Sequence, residues 1–161
     1  MKLRYILTPL LLFSSLSLGD STKYPFVGIV GHSTTINDEN GGVAGIRYGQ
    51  QSQDWRTSFT LETPHQEYQL ISVAIDRTLL YSVTTSKLRI YGGLVVAAVV
   101  FDKNDGSGDK SVGYGYGLGA GMMYYLTDNI DLDLGYRYML VNDVDNLDEI
   151  SSFGFAVHYF F

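Results

Sequence analysis

The chain has 161 residues, enough for one domain, with 13 Tyr, 8 Phe and 18 Gly against 3 Pro and no Cys. This composition favours strands and tight turns over helices, and the lack of Cys excludes disulfides, thiolate metal sites and a lipid-modified Cys. The formal net charge of −6 argues against electrostatic binding of nucleic acid or of an anionic membrane surface.

Residues 1–19 have the layout of a secretory signal peptide. A basic segment at 1–4 precedes a largely apolar, uncharged run at 5–18, and Ser17 and Gly19 place small residues where a signal peptidase cuts. The run is too short for a membrane-spanning helix, which needs about 20 residues. Removing this segment leaves 9 basic and 17 acidic residues, a net charge of −8.

The remaining chain, residues 20–161, reads as one domain of short strands with polar breaks. The first five strands are predicted at 24–33, 42–51, 55–63, 67–81 and 87–101. In the second, Ile46 and Tyr48 alternate with Arg47, and in the third, Trp55 and its alternates oppose Arg56, so one face is apolar and the other polar. The facing of the fifth strand stays open.

The sixth and seventh strands form the clearest hairpin. Between 112 and 125, glycine occupies every second position from 113 to 121 and alternates with Tyr, Leu, Ala and Met. A helix would be heavily destabilised by five glycines, so this segment is a strand. After a predicted turn at 126–129, the run 130–140 again alternates apolar residues with Gly, Arg and Asp.

The eighth strand, at 150–161, ends on an aromatic residue. Five apolar or aromatic side chains share one of its faces: Phe153, Phe155, Val157, Tyr159 and Phe161. The total of eight strands predicts an all-β fold in which the strands close in sequence order into an antiparallel barrel.

Two arguments place the apolar face of this barrel outside, against lipid, rather than inside as in a soluble lipocalin-type barrel. The interior of an eight-stranded barrel is only just filled by side chains and has no room for all the aromatic faces. The glycine strip at 113–121 would also make a bare and poorly soluble outer surface. We therefore predict a transmembrane β-barrel.

The predicted connections fit this orientation. With eight strands, both termini lie on the periplasmic side. Three outer links, at 34–41, 102–111 and 142–149, are longer than the inner links at 52–54, 82–86 and 126–129, whereas the outer link around 64–66 is nearly a turn.

The last fifty residues resemble the small outer-membrane β-barrels of the OmpA-like and OmpX-like porin family. The resemblance rests on the glycine strand, the turn at 126–129, the run Asp131–Tyr138 and the end His158–Phe161. It implies that Phe153, Phe155, Val157, Tyr159 and Phe161 form the C-terminal signal read by the barrel-assembly machinery. Because the chain ends with the predicted barrel, we do not expect the peptidoglycan-binding domain of larger OmpA-type proteins.

Two further groups of residues are assigned from the pattern. The lumen is predicted to hold a polar network of Arg47, Arg56, Glu62, Asp76, Asp131, Asp133 and Arg137. Such charges either line a selective pore or pair into a plug, and the plug is favoured because eight strands leave little open bore. Interfacial aromatics at the inner ends of strands are predicted to be Trp55, Tyr81, Tyr124 and Tyr125.

No catalytic residue, cofactor or metal is predicted. His32 and His65 are expected near the outer rim and His158 near the opposite rim, all in contact with water and without a catalytic motif. The acidic links match no calcium-loop pattern.

We therefore expect an integral protein of the cell outer membrane, with a role in membrane integrity, adhesion or recognition through its outer loops. A narrow porin-like channel for ions or small solutes is the alternative, and a lipid A-modifying enzyme ranks third. The expected partners are outer-membrane lipid or lipopolysaccharide and the assembly machinery, with no nucleic acid, and the expected state is a monomer.

Overall fold

The computed structural model describes residues 23–36, 39–64, 68–81, 87–102, 110–144 and 147–161. Its strands are β1 (Tyr24–Ile36), β2 (Glu39–Gln51), β3 (Trp55–Pro64), β4 (Tyr68–Tyr81), β5 (Leu88–Asp102), β6 (Lys110–Tyr125), β7 (Ile130–Asn142) and β8 (Glu149–Phe160). They close into a barrel in sequence order, with each strand antiparallel to its neighbours and β1 paired with β8. The predicted eight-stranded barrel is confirmed. Within the described ranges, no helix is long and apolar enough to cross a membrane.

The register of the strands fixes the width of the barrel. Directly paired residues can be followed around the barrel from Val30 on β1 to β6 in both directions. The path across β2 to β5 passes through Gly45, Glu62, Leu70 and Val99 and ends at Gly113. The path across β8 and β7 passes through Ala156 and Asp133 and ends at Met123. The two paths meet β6 ten residues apart, which is the shear of the barrel. With eight strands, this shear corresponds to a strand tilt of about 41° and a radius of about 8 Å.

The two rims of the barrel are called here the terminus end, where β1 begins and β8 ends, and the far end. At the far end only residues 37–38 separate β1 from β2, because their pairing continues to Ile36 and Glu39. At the terminus end, residues 82–87 separate β4 from β5. The expected contrast between long and short links therefore fails for these two connections, since β1 and β2 run further than the sequence pattern indicated, whereas the link between β4 and β5 has six residues.

The faces of the strands have the predicted polarity. Outward side chains such as Leu94 and Leu118 are each 64% exposed, whereas Arg56 is 3% exposed and Asp131 is fully buried inside. On β5, the strand left open from sequence, Val95 and Val99 face inward and Val96 faces outward. The apolar surface is thus on the outside of the barrel.

The lumen is layered along its axis. Phe26, Phe160 and Tyr125 pack together at the terminus end, with ring centroids 5.4 and 6.2 Å apart for the two pairs that Phe160 makes. Charged and hydroxyl side chains fill the middle. The far end holds a cluster of buried aliphatic side chains and methionine: Val43, Leu70, Val95, Ala97, Val99, Met139, Val141, Val144, Leu147 and Ile150. The predicted polar network therefore fills the middle of the lumen, and the far end is apolar.

Candidate functional site in the barrel lumen

The centre of the polar layer is Arg56, which joins opposite walls of the barrel. Its Nε donates to Asp76 Oδ2 of the neighbouring β4 at 3.0 Å, and its Nη1 donates to Asp133 Oδ2 on β7 at 2.5 Å. The Tyr91 hydroxyl donates to the other oxygen of Asp133 at 2.7 Å, and the guanidinium carbon lies 4.3 Å from the Tyr91 ring centroid. Such a buried charge is stable only because its partners saturate it.

Arg47 links this centre to a histidine. Its Nη1 lies 3.4 Å from Asp133 Oδ2 and 3.5 Å from His158 Nε2. His158 Nδ1 is 2.7 Å from Asp131 Oδ1, and both side chains are fully buried. Because a guanidinium can only donate hydrogen bonds, Nε2 is assigned as the acceptor and Nδ1–H as the donor to Asp131.

A second ion pair lies nearer the far end. Arg137 Nη1 and Nη2 donate to Glu62 Oε1 and Oε2 at 2.9 and 3.0 Å, a bidentate pair between β7 and β3. His32 Nδ1 lies 3.6 Å from Glu62 Oε1. The Thr34 and Ser152 hydroxyl oxygens, 3.1 Å apart, complete this level across β1 and β8.

The aliphatic layer above this pair is closed partly by the segment between β7 and β8. Val144 and Leu147 fold back over the mouth and are 8% and 1% exposed. Asp143 turns the chain with a positive φ of 64°. Gly113 makes room for the segment, since a Cβ there would lie 2.5 Å from Val144 Cγ2.

The space that remains inside the polar layer is small. A cavity of about 60 Å³ lies among Arg47, Arg56, Asp133, Arg137 and the Ser and Thr side chains of β3 and β4. That volume holds a few water molecules. It does not form an open bore through the described residues.

The structure places all seven sequence-assigned lumen residues on the inner wall. Arg47, Arg56, Asp76 and Asp133 meet in one network, Glu62 meets Arg137, and Asp131 meets His158. Sequence reasoning missed three members of these contacts, His32, His158 and Tyr91. Strand alternation could have found His158, since it shares a face with Ser152 and Ala156.

The interpretation of the histidines as water-contacting rim residues is wrong for His158. Its side chain is buried beneath Phe26, with ring centroids 4.7 Å apart. His32 points into the lumen, with 11% of its side chain exposed, and His65 lies outside the described residues.

Two of the four predicted interfacial aromatics face outward. Trp55 and Tyr124 face outward near the terminus end, and the side chain of Tyr81 lies outside the described part of the chain. Tyr125 does not belong to this group, because it shares the inward face of β6 with the glycines and Met123. Its hydroxyl accepts a hydrogen bond from Gln51 Nε2. The C-terminal residues Phe153, Phe155, Tyr159 and Phe161 face outward, while their recognition by the assembly machinery stays a prediction.

Comparison with known proteins agrees with this architecture. The sequence profile of a family described as "Outer membrane protein beta-barrel domain" matches residues 9–161. No curated protein sequence matches the chain.

Several solved structures are similar. Neisserial surface protein A is 22% identical over 89% of this chain and 100% of its own, with a TM-score of 0.63. Outer membrane protein H of Pseudomonas aeruginosa is 26% identical over 86% of this chain and 99% of its own, with a TM-score of 0.65. Ail, the attachment invasion locus protein of Yersinia pestis, is 14% identical over 89% and 100%, with a TM-score of 0.56.

Proposed function

Because the chain belongs to the outer membrane protein β-barrel domain family, we propose that it acts as a closed structural barrel whose far end makes the contacts with partners. The observation that carries this proposal is the filled lumen. Arg56 and Asp133 bridge β3 and β7, and Arg137 and Glu62 bridge the same strands nearer the far end. The aliphatic layer then covers the network. A lumen built in this way supports a rigid barrel better than a path for solutes.

Conductance in planar bilayers tests the closed barrel against the narrow channel. We expect the refolded protein to insert without stable unitary currents. Heat-modifiable migration of the same sample on a detergent gel shows that the barrel is folded. Stable, ion-selective currents from the folded protein would instead support the channel, whose ions would have to pass both the ion pairs and the aliphatic layer.

An enzymatic role is not proposed. His158 and Asp131 have the spacing of two members of a catalytic triad. However, His158 Nε2, which would face a nucleophile in a triad, faces Arg47 Nη1 at 3.5 Å. The pair is also fully buried within the wall and away from lipid. We assign it a structural role.

The surface role is proposed for the far end. The segments that connect strands there, 37–38, 65–67, 103–109 and 143–148, contain 7 acidic residues and 1 basic residue. Such a surface repels polyanions at low salt and favours partners with net positive charge or bridging divalent cations. Binding of whole cells to a cationic and an anionic peptide at low and high salt tests this expectation, and preference for the anionic peptide would contradict it.

We further propose that residues 1–19 are a cleaved signal peptide, that the barrel is a monomer in the outer membrane with periplasmic termini, and that its biogenesis uses the assembly machinery. A peptide tag inserted within 103–109 should then be labelled on intact cells. A tag inserted within 82–86, at the terminus end, should be labelled only after the cells are opened. The reverse pattern would invert the orientation.

A further inference from the structure

Aromatic rings of this barrel lie on glycines of the neighbouring strand. In five cases the ring and the glycine are directly paired in the register: Phe26 with Gly49, His158 with Gly28, His32 with Gly154, Phe155 with Gly31 and Tyr91 with Gly121. A Cβ added to Gly49 would lie 2.5 Å from the Phe26 ring, and one on Gly31 would lie 3.3 Å from the Phe155 ring. At Gly49, Gly28, Gly154 and Gly121 an added Cβ would come within 3.0 Å of the ring, whereas at Gly31 the ring would have to move by a few tenths of an ångström.

Three of these five pairs lie on one seam, between β1 and β8, where the two ends of the chain meet. The two inner pairs are reciprocal. His158 of β8 covers Gly28 of β1, and His32 of β1 covers Gly154 of β8. A Cβ on either glycine would overlap the imidazole opposite it.

These pairs can form at only one register of the seam. A shift by one residue would turn every side chain to the wrong face. A shift of β8 by two residues keeps the faces but places His158 opposite Phe26 or Val30, and His32 opposite Ser152 or Ala156. In both shifted registers each imidazole meets a side chain where it now meets a glycine.

The register of this seam also sets the circumference of the barrel. A two-residue shift at the seam changes the shear from ten to eight or twelve. The radius then changes by about 0.7 Å and the diameter by about 1.4 Å. The 2.9 and 3.0 Å bonds between Arg137 and Glu62 span the lumen and would not survive that change.

We propose that His32 and His158 are register keys for closure of the barrel: each imidazole, seated on a glycine of the opposite strand, selects the pairing of β1 with β8 that gives a shear of ten. This role is independent of whether the lumen conducts. It also gives a specific structural role to the two histidines that point into the lumen.

The absence of Cys makes the register directly measurable. Thr34→Cys with Ser152→Cys reports the native register, because the two hydroxyl oxygens it replaces are 3.1 Å apart. Ser33→Cys with Ser151→Cys, and Thr35→Cys with Phe153→Cys, report the two shifted registers, since each pair is diagonal in the native seam. Each reporter is refolded into detergent micelles in an oxidising buffer, and the disulfide-bonded fraction is read on a gel.

Each reporter is then combined with three changes. His32→Ala with His158→Ala removes both rings and should lower the ratio of native to shifted disulfide on the order of tenfold. His158→Phe retains a ring on Gly28 and should keep the native register. Asp131→Asn removes the charge of the carboxylate to which His158 Nδ1–H donates but keeps the imidazole ring of His158, and should also keep the native register.

The outcomes distinguish selection of the register by the two imidazoles from a general effect of the substitutions on stability. An unchanged ratio in the double alanine variant overturns the proposal, as does a shift in Asp131→Asn equal to that in His158→Ala. If the double variant does not fold, His158→Ala and His158→Phe are compared, and equal ratios for those two overturn it as well. Gly42→Ala, whose Cβ would meet nothing within 4 Å, should leave the ratio unchanged.

Discussion

The bidentate pair between Arg137 and Glu62 allows a quantitative test of how the lumen is held together. Glu62 is fully buried and Arg137 is 14% exposed. The pair can be removed one side at a time, by Glu62→Met or Arg137→Met, or completely in the double variant. Methionine is chosen because it is flexible and fills a comparable volume.

Each single change leaves a buried charge without its main partner. We expect Glu62→Met to destabilise the barrel by about 3 kcal/mol, near the lower end for a broken buried pair, because the neighbouring cavity gives Arg137 some water. Arg137→Met should cost about 4 kcal/mol, since Glu62 then keeps His32 at 3.6 Å in place of a bidentate cation. The double variant should lie within about 1 kcal/mol of the wild type.

Reversible urea unfolding from lipid vesicles measures these differences. Trp55 is the single Trp of the chain, and it faces outward near the terminus end. Its fluorescence therefore reports transfer of the barrel wall from lipid to water. Asp148→Met, a change at an exposed acid of the far rim, serves as the control and should leave the midpoint unchanged.

The decisive quantity is the coupling between the two sites. The values above predict a coupling of about 6 kcal/mol or more, the sum of the two single costs less that of the double variant. If the cost of the double variant equals the sum of the single costs, the two charges do not stabilise each other, and the interpretation of the lumen as an ion-paired core is refuted.

Two other substitutions test the facing of the wall and the glycines within it. Leu118→Arg, at an outward position halfway along β6, should lower the free energy of unfolding in vesicles by about 2–4 kcal/mol, because it places a cation in the hydrocarbon layer. A change below about 0.5 kcal/mol, as at an ordinary water-exposed surface, would contradict a lipid-facing wall. Gly121→Val should cost about 3 kcal/mol in the same assay, since its Cβ would lie 2.4 Å from the Leu134 carbonyl oxygen and 2.5 Å from the Tyr91 hydroxyl. Gly119→Ala is the matched control, because its Cβ would meet no atom closer than 3.8 Å, and an equal loss in both variants would show that any β6 glycine is sensitive.

The positions of the strands and the direction of their side chains could be predicted wherever one face of a strand contacts lipid and the other lines a polar lumen. On β7, Asp131 and Asp133 alternate with Leu132 and Leu134, and the structure keeps that alternation. The pattern disappears on β5 for a physical reason. Val95 and Val99 face the aliphatic layer while Val96 faces lipid, so both sides of the strand are apolar.

The partners within the lumen could not be predicted in the same way. Which carboxylate meets Arg137 depends on the shear and on strands that are 75 residues apart in sequence. No local spacing encodes that distance. Tyr125 was misassigned for a different reason. Its place at a strand end is typical of aromatic residues at the membrane interface, but the alternation of β6 directs its side chain inward, on the same face as Met123.

The unequal lengths of the strands give the molecule a slanted mouth. β3 has 10 residues and β6 has 16. The register places the terminus-end residues of all strands at nearly the same height along the barrel axis, so the additional residues of β6 extend at the far end. At the tilt of this barrel, the end of β6 stands about 12 Å above the end of β3. A molecule that approaches from that side of the bilayer therefore meets a stiff sheet on the flank of β5 and β6, and reaches the centre of the opening most directly across the low flank of β3 and β4.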